Sequence, residues 1–114
     1  MKFFVSGTDT NIGKTAATGW LARRYAERGL RVITQKLVQT GCTGISEDVA
    51  EHRRIMGSPL LPCDTDFTTC RYVMKYPASP HIVAEMEGVK LDFDALDSDT
   101  QKLEKSFARL PTQA

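Results

Sequence analysis

The chain has 114 residues and a mass of 12.7 kDa, the length of one domain with no room for two. Its 41% hydrophobic and 25% charged residues are the composition of a soluble globular protein. A net charge of +1 makes no electrostatic case for nucleic acid or an anionic membrane, and no apolar run approaches the roughly 18 residues of a membrane span.

Met1-Lys2-Phe3-Phe4-Val5 reaches Ser6-Gly7 too soon for a signal peptide. Residues 2–6 instead read as a short buried strand ending at Gly7. A turn-rich stretch follows to Gly13, and from Lys14 the period becomes helical. Ala17, Trp20, Leu21, Ala22 and Tyr25 share one face, which assigns Trp20 and Tyr25 to the core rather than to a cofactor. Gly29 stands where a left-handed C-terminal cap belongs. Leu30-Arg31-Val32-Ile33-Thr34 reads as a second strand with Lys36 at its C-terminal end, and residues 39–45 as a polar loop.

Ser46 is a candidate N-cap, with Glu47 and Asp48 in the first helical turn. That helix carries Val49, Ile55 and Met56 and stops at Gly57, while His52, amid Glu51, Arg53 and Arg54, reads as solvated. Residues 58–70 look like loop, and 71–74 like a short strand or extended segment. Ser79-Pro80 opens a helix running to Gly88, with His81 as a structural helix-start residue. Phe93, Leu96, Leu103, Phe107 and Leu110 mark a last amphipathic helix, acidic near its start and basic near its end. Cys42, Cys63 and Cys70 have no CxxC spacing and suggest neither a disulfide framework nor a zinc site, which fits a reducing cytoplasm. The alternation of strands and helices is that of an α/β sheet protein.

Gly13-Lys14-Thr15, after a strand and a glycine-bearing loop and at a helix start, is the setting of a phosphate-binding loop. Backbone N–H groups converge on phosphate oxygens, and Gly13 permits close backbone approach. Lys14 supplies a point charge to the outer phosphates, and the Thr15 hydroxyl can ligate Mg²⁺. The usual first glycine would fall at Thr8, but here it lies one earlier, at Gly7. The basic first half is the natural host for an anion, since residues 1–57 carry nine basic and five acidic side chains.

With Phe4 to Thr15 in view, the sequence resembles dethiobiotin synthase, whose loop reads Gly-Thr-Asp-Thr-x-x-Gly-Lys-Thr. The displaced glycine is then a family trait. The resemblance continues through Val32-Ile33-Thr34-Gln35-Lys36-Leu37-Val38-Gln39-Thr40-Gly41, Ser46-Glu47-Asp48 and Tyr76-Pro77-Ala78-Ser79-Pro80-His81. Leu37 replaces the proline more common after the lysine. The resemblance implies a P-loop NTPase-like parallel sheet flanked by helices. It also implies ATP-dependent carboxylation of 7,8-diaminononanoate by CO₂ and closure of the ureido ring.

Carried onto this chain, Thr10, Asn11, Ile12, Gly13, Lys14 and Thr15 would bind ATP, and Lys14 would hold its β/γ-phosphates. Thr15 and Asp48 would hold Mg²⁺. Lys36 would stabilise charge between carbamate and γ-phosphate, and Thr40 would contact the diamine or its carbamate. By residue type alone, Asp48 is equally a helix-start acid, Lys36 a solvated lysine and Thr40 a plain loop residue. A homodimer is implied by the resemblance as well.

The family's chains are about twice this length, so residues 1–114 are expected to be one P-loop domain incomplete relative to the family. A Glu-Gly-Ala-Gly-Gly run expected after the last helix is absent, and with it a third core strand and a further Mg²⁺ ligand. Two other readings remain at this point: a non-catalytic nucleotide-binding or regulatory module, and an inactive remnant.

Overall fold

In the computed structural model, the described residues are 11–77 and 80–107. The expected strand at residues 2–6, Thr10, Ser79, Arg109 and Leu110 lie outside them. Seven elements follow in chain order: α1 (Asn11–Glu27), β1 (Val38–Thr40), α2 (Glu47–Met56), α3 (Pro62–Thr65), β2 (Tyr72–Met74), α4 (Pro80–Glu87) and α5 (Phe93–Phe107).

Helix α1 begins at Asn11, three residues before the expected start, so Gly13 is already helical. Its end is as expected. Gly29 has φ +85°, its N–H donates to Ala26 (3.0 Å) and the N–H of Leu30 to Tyr25 (3.3 Å), a closed left-handed cap. The buried face differs from the expected one. Thr15, Gly19 and Ala22 face inward, while Ala17 is exposed and Trp20 is 57% exposed, its ring 5.4 Å from the Arg24 guanidinium. Helix packing explains the rotation. A Cβ on Gly19 would lie 2.9–3.2 Å from three Ile55 side-chain atoms, so the missing side chain lets α2 approach α1 there.

The expected strand over Leu30–Thr34 is not formed, and residues 31–36 have no regular structure. Side chains take up groups that a ladder would have used, most clearly the Thr34 carbonyl, which accepts from Arg53 at 3.1 Å. The strand comes later, at Val38–Thr40, inside what reads as the start of a polar loop. It pairs parallel with Tyr72–Met74 in the register Val38 to Tyr72, Gln39 to Val73 and Thr40 to Met74. Residues 58–70 also contain the single turn α3, which sequence periodicity does not reveal.

Helix α2 follows the sequence reading at both ends. The Ser46 hydroxyl accepts from the N–H of Val49 at 3.2 Å, and Gly57 closes the C-terminus at φ +75°. Helix α4 begins at Pro80 as expected. Helix α5 buries Leu96 and Leu103 but leaves Phe93 73% exposed. Its first turn is capped by Asp92, whose carboxylate accepts from the N–H of Ala95 at 3.0 Å.

Met74 and Ala84 form a small apolar core between β2 and α4, with Val38, Tyr72 and Leu91 packed against it. Among the described residues many polar side chains are buried as well. Thr34, Gln39, Ser46, His52, Arg53, Asp64, Thr69 and Asp99 are all buried. Helix α5 is tied to the rest through the bidentate Arg71–Asp99 pair (2.8 and 2.9 Å) and a 2.9 Å bond from Thr100 to Gln35. All three cysteines are free thiols, and burial pushes Cys70 up to about 11.

Candidate functional site

Gly13, Lys14 and Thr15 occupy the first turns of α1, where orphan backbone N–H groups and the positive end of the helix dipole lie. The space beside that turn is open, since a Cβ on Gly13 would meet nothing within 4 Å among the described residues. Thr15 is buried, Lys14 half-buried, and the Lys14 carbonyl accepts from the Thr18 hydroxyl at 2.8 Å. Such a helix start can bind phosphate through backbone donors and one ammonium.

The second part of the site is made by two segments distant in sequence. The Lys36 ammonium donates to Oδ2 of Asp48, joining the segment before β1 to the first turn of α2. Both side chains keep some access to solvent, 27% for Lys36 and 15% for Asp48. The structure thus brings together the two residues expected to serve carbamate and metal. Asp48 also follows from its helix: a carboxylate in the first turn is favoured by the dipole.

Gln39, which sequence reasoning does not single out, fixes this corner. It is buried on β1, and its Oε1 accepts from the Ser46 hydroxyl (2.7 Å) and the Asp48 N–H (3.4 Å). Its Nε2 donates to the Thr40 carbonyl at 3.2 Å. One side chain therefore sets the distance between the end of β1, where Thr40 lies half-buried, and the helix that carries Asp48.

His52 requires a correction. It is not solvated but 4% exposed, with Nδ1 2.7 Å from the Thr34 hydroxyl. That hydroxyl also accepts from Arg53 at 2.7 Å, which places the imidazole beside a buried guanidinium. Burial, reinforced by the Arg53 charge, pushes the His52 pKa down to about 4. The missed signal is periodic: Val49, His52, Arg53 and Met56 share one stripe of α2, so the stripe that buries Val49 buries the basic pair too.

Arg53 and Asp64 are buried to 1% and 0% side-chain exposure. Nε and Nη2 of Arg53 donate to the two carboxylate oxygens, both at 2.9 Å. Burial alone would raise the Asp64 pKa, but hydrogen bonds from Arg53, the Leu61 N–H and Thr69 outweigh it and hold the group below its ordinary value.

By residue type, the Thr15 hydroxyl and the Asp48 carboxylate are hard oxygen donors of the kind magnesium prefers, and the Asp48 carboxylate is engaged by Lys36 through Oδ2. Among the described residues no cluster of three His, Cys, Asp or Glu side chains could hold a metal unaided. No described helix is long and apolar enough to cross a membrane.

A Gly-Lys-Thr helix start, in a chain that also has a parallel strand pair and flanking helices, belongs to the P-loop class of nucleotide-binding domains. The AAA domain family matches residues 1–110, and the chain belongs to that family. It is also similar to proteins named ATP-dependent dethiobiotin synthetase. The one from Chlorobaculum tepidum is 53% identical over 103 residues, covering 90% of this chain and 43% of the relative. Those from Pasteurella multocida and Haemophilus ducreyi are 46% and 54% identical over 101 and 84 residues. These alignments cover 89% and 74% of this chain, and 47% and 40% of the relatives. The chain spans a little under half the length of these curated relatives and matches their N-terminal part.

Proposed function

We propose that the chain is the phosphate-binding part of an ATP-dependent cyclo-ligase that converts 7,8-diaminononanoate and CO₂ to dethiobiotin in biotin synthesis. The observation that supports this most is the Lys36–Asp48 pair, an ammonium and a carboxylate held together by the fold yet still partly accessible to solvent. The similarity to the dethiobiotin synthetases supports the choice of reaction.

One amine of the substrate attacks CO₂ and loses a proton, giving a carbamate. A carbamate oxygen then takes the γ-phosphoryl group of ATP, releasing ADP. The neighbouring amine attacks the carbamate carbon and expels inorganic phosphate, which closes the ureido ring. Phosphoryl transfer of this kind is mainly positioning and charge neutralisation.

Thr10, Asn11, Ile12 and Gly13 line the phosphates, and Lys14 binds the β/γ-phosphates. Thr15 and Asp48 would hold Mg²⁺, which supplies further positive charge to those phosphates when bound. Lys36 stabilises charge on the carbamate and the γ-phosphate together, and Thr40 contacts the diamine or its carbamate. In this reading the protein works in the cytoplasm as a homodimer.

The test is phosphate release by the purified chain supplied with ATP, Mg²⁺ and bicarbonate. Release that depends on added diaminononanoate is the expected result. ATP binding that diaminononanoate and bicarbonate neither tighten nor convert into phosphate release would contradict the proposal and identify a nucleotide-binding module instead.

A further inference from the structure

Residues 34–36 have no strand ladder, yet each is held by a different partner. Thr34 accepts from Arg53 through both its hydroxyl (2.7 Å) and its carbonyl (3.1 Å). The Gln35 side chain accepts from Thr100 of α5 at 2.9 Å. The Lys36 N–H donates to the Thr69 carbonyl at 2.8 Å. Thr69 in turn donates its hydroxyl to Oδ1 of Asp64 at 2.7 Å. The two members of the buried ion pair therefore grip the chain on either side of the Lys36 backbone, Arg53 through Thr34 and Asp64 through Thr69.

The donor inventory of Arg53 points the same way. Its guanidinium has five N–H groups. Two go to Asp64, two to Thr34 and one to the Met56 sulfur. A pair serving only to join α2 to α3 would not need to commit two of those donors to the segment before β1. Helix α2 also carries Asp48, about 7.5 Å along its axis from Arg53. One rigid element thus sets both the backbone of Lys36, through Arg53, and its ammonium, through Asp48.

We infer that Arg53 and Asp64 are positioning residues for Lys36, acting through Thr34 and Thr69 to fix where its ammonium stands. The inference rests on the role given to Lys36 in the proposed reaction. A lysine on an unpaired segment otherwise spreads its charge over many rotamers, and charge stabilisation requires the ammonium already in place.

Removing Arg53 or Asp64 outright strands a buried charge and risks unfolding, so the decisive variant is Thr69→Val. It keeps the ion pair and the side-chain volume and deletes the hydroxyl that links Asp64 to the Lys36 partner, while the Thr69 N–H still donates to the Cys63 carbonyl at 3.1 Å. Hydrogen exchange of the Lys36 amide should speed up about tenfold, with the α2 amides unchanged, and kcat for diamine-dependent phosphate release should fall by a similar factor at constant KM for ATP. Thr69→Ser, which restores the hydroxyl, should bring both back. Wild-type exchange at Lys36 in Thr69→Val would overturn the inference, and so would a fall in kcat that Thr69→Ser does not reverse. Lys36→Ala separates the two layers: if it turns over normally, the role of Lys36 itself fails, while the exchange result still reports whether Thr69 holds that backbone.

Discussion

Two of the ion pairs made by helix α2 differ in almost everything except charge. Arg53–Asp64 is sealed from water, bidentate, and has every guanidinium donor used. Lys36–Asp48 is a single contact, partly open to solvent, between an ammonium and a carboxylate at a helix start. Breaking a buried pair costs several kcal/mol because one charge is left without partner or solvent. Breaking an accessible pair costs little, because water replaces the partner. A sealed pair therefore can only hold structure, whereas an open one can trade its partner for a ligand charge.

The largest effect that could break this contrast is loss of the sealed pair. Arg53→Ala should lower stability by about 3–5 kcal/mol, read from the urea midpoint, against a total of about 5–15 kcal/mol for a typical domain. A change below about 1 kcal/mol would show that Asp64 finds water and that the two pairs are alike.

Acid tests the same region without mutation. Neutral His52 takes up a proton only near pH 4 in the folded chain, but near 6.5 when unfolded. The unfolded chain thus binds more protons between those values, so stability should fall as pH drops below about 6.5 and the loss should be complete below about 4. The expected total is about 3 kcal/mol. Asp64 adds to the loss at the acid end, where its stabilisation disappears as pH falls through its depressed folded value. His52→Gln should flatten the upper part of the pH profile; a profile that stays as steep would contradict the assignment of a neutral imidazole.

Gly19→Ala probes the platform that carries both pairs. In an open helix this change would stabilise by roughly 1 kcal/mol. Here the new methyl would press on Ile55, so a net loss of about 1–2 kcal/mol in thermal or urea unfolding is expected. The smallest effect belongs to the open pair: Asp48→Asn should change stability by less than about 1 kcal/mol.

Much of this contrast is legible in the sequence, but only on one side of it. Gly-Lys-Thr at a helix start, the N-cap Ser46, the caps at Gly29 and Gly57, and the helix start at Pro80 are local chemistry, and local chemistry can be read from a few adjacent residues. Lys36 and Asp48 stand out because they sit in blocks shared with a known family. The sealed pair is different. Arg53 and Asp64 look like surface charges until α2 is folded against its neighbours, and only the helical stripe of Val49 and Met56 hints that Arg53 turns inward. The strand at residues 30–34 is misread for a related reason. Its residues have strand propensity, but Arg53 claims the Thr34 carbonyl, and strand propensity says nothing about which side chain will arrive there. The face of α1 is set by a glycine rather than by its apolar residues, which hydrophobic periodicity cannot register.

The most direct test of the division between holding and reacting is Lys36→Ala, with stability, ATP affinity and diamine-dependent phosphate release measured on the same preparation. Stability should stay within about 1 kcal/mol of the parent, with ATP binding nearly unchanged. Phosphate release should fall by about 10²–10³-fold, the cost of removing one preorganised charge-stabilising donor. A variant that keeps its turnover, or one that loses turnover only because it has unfolded, would contradict that division.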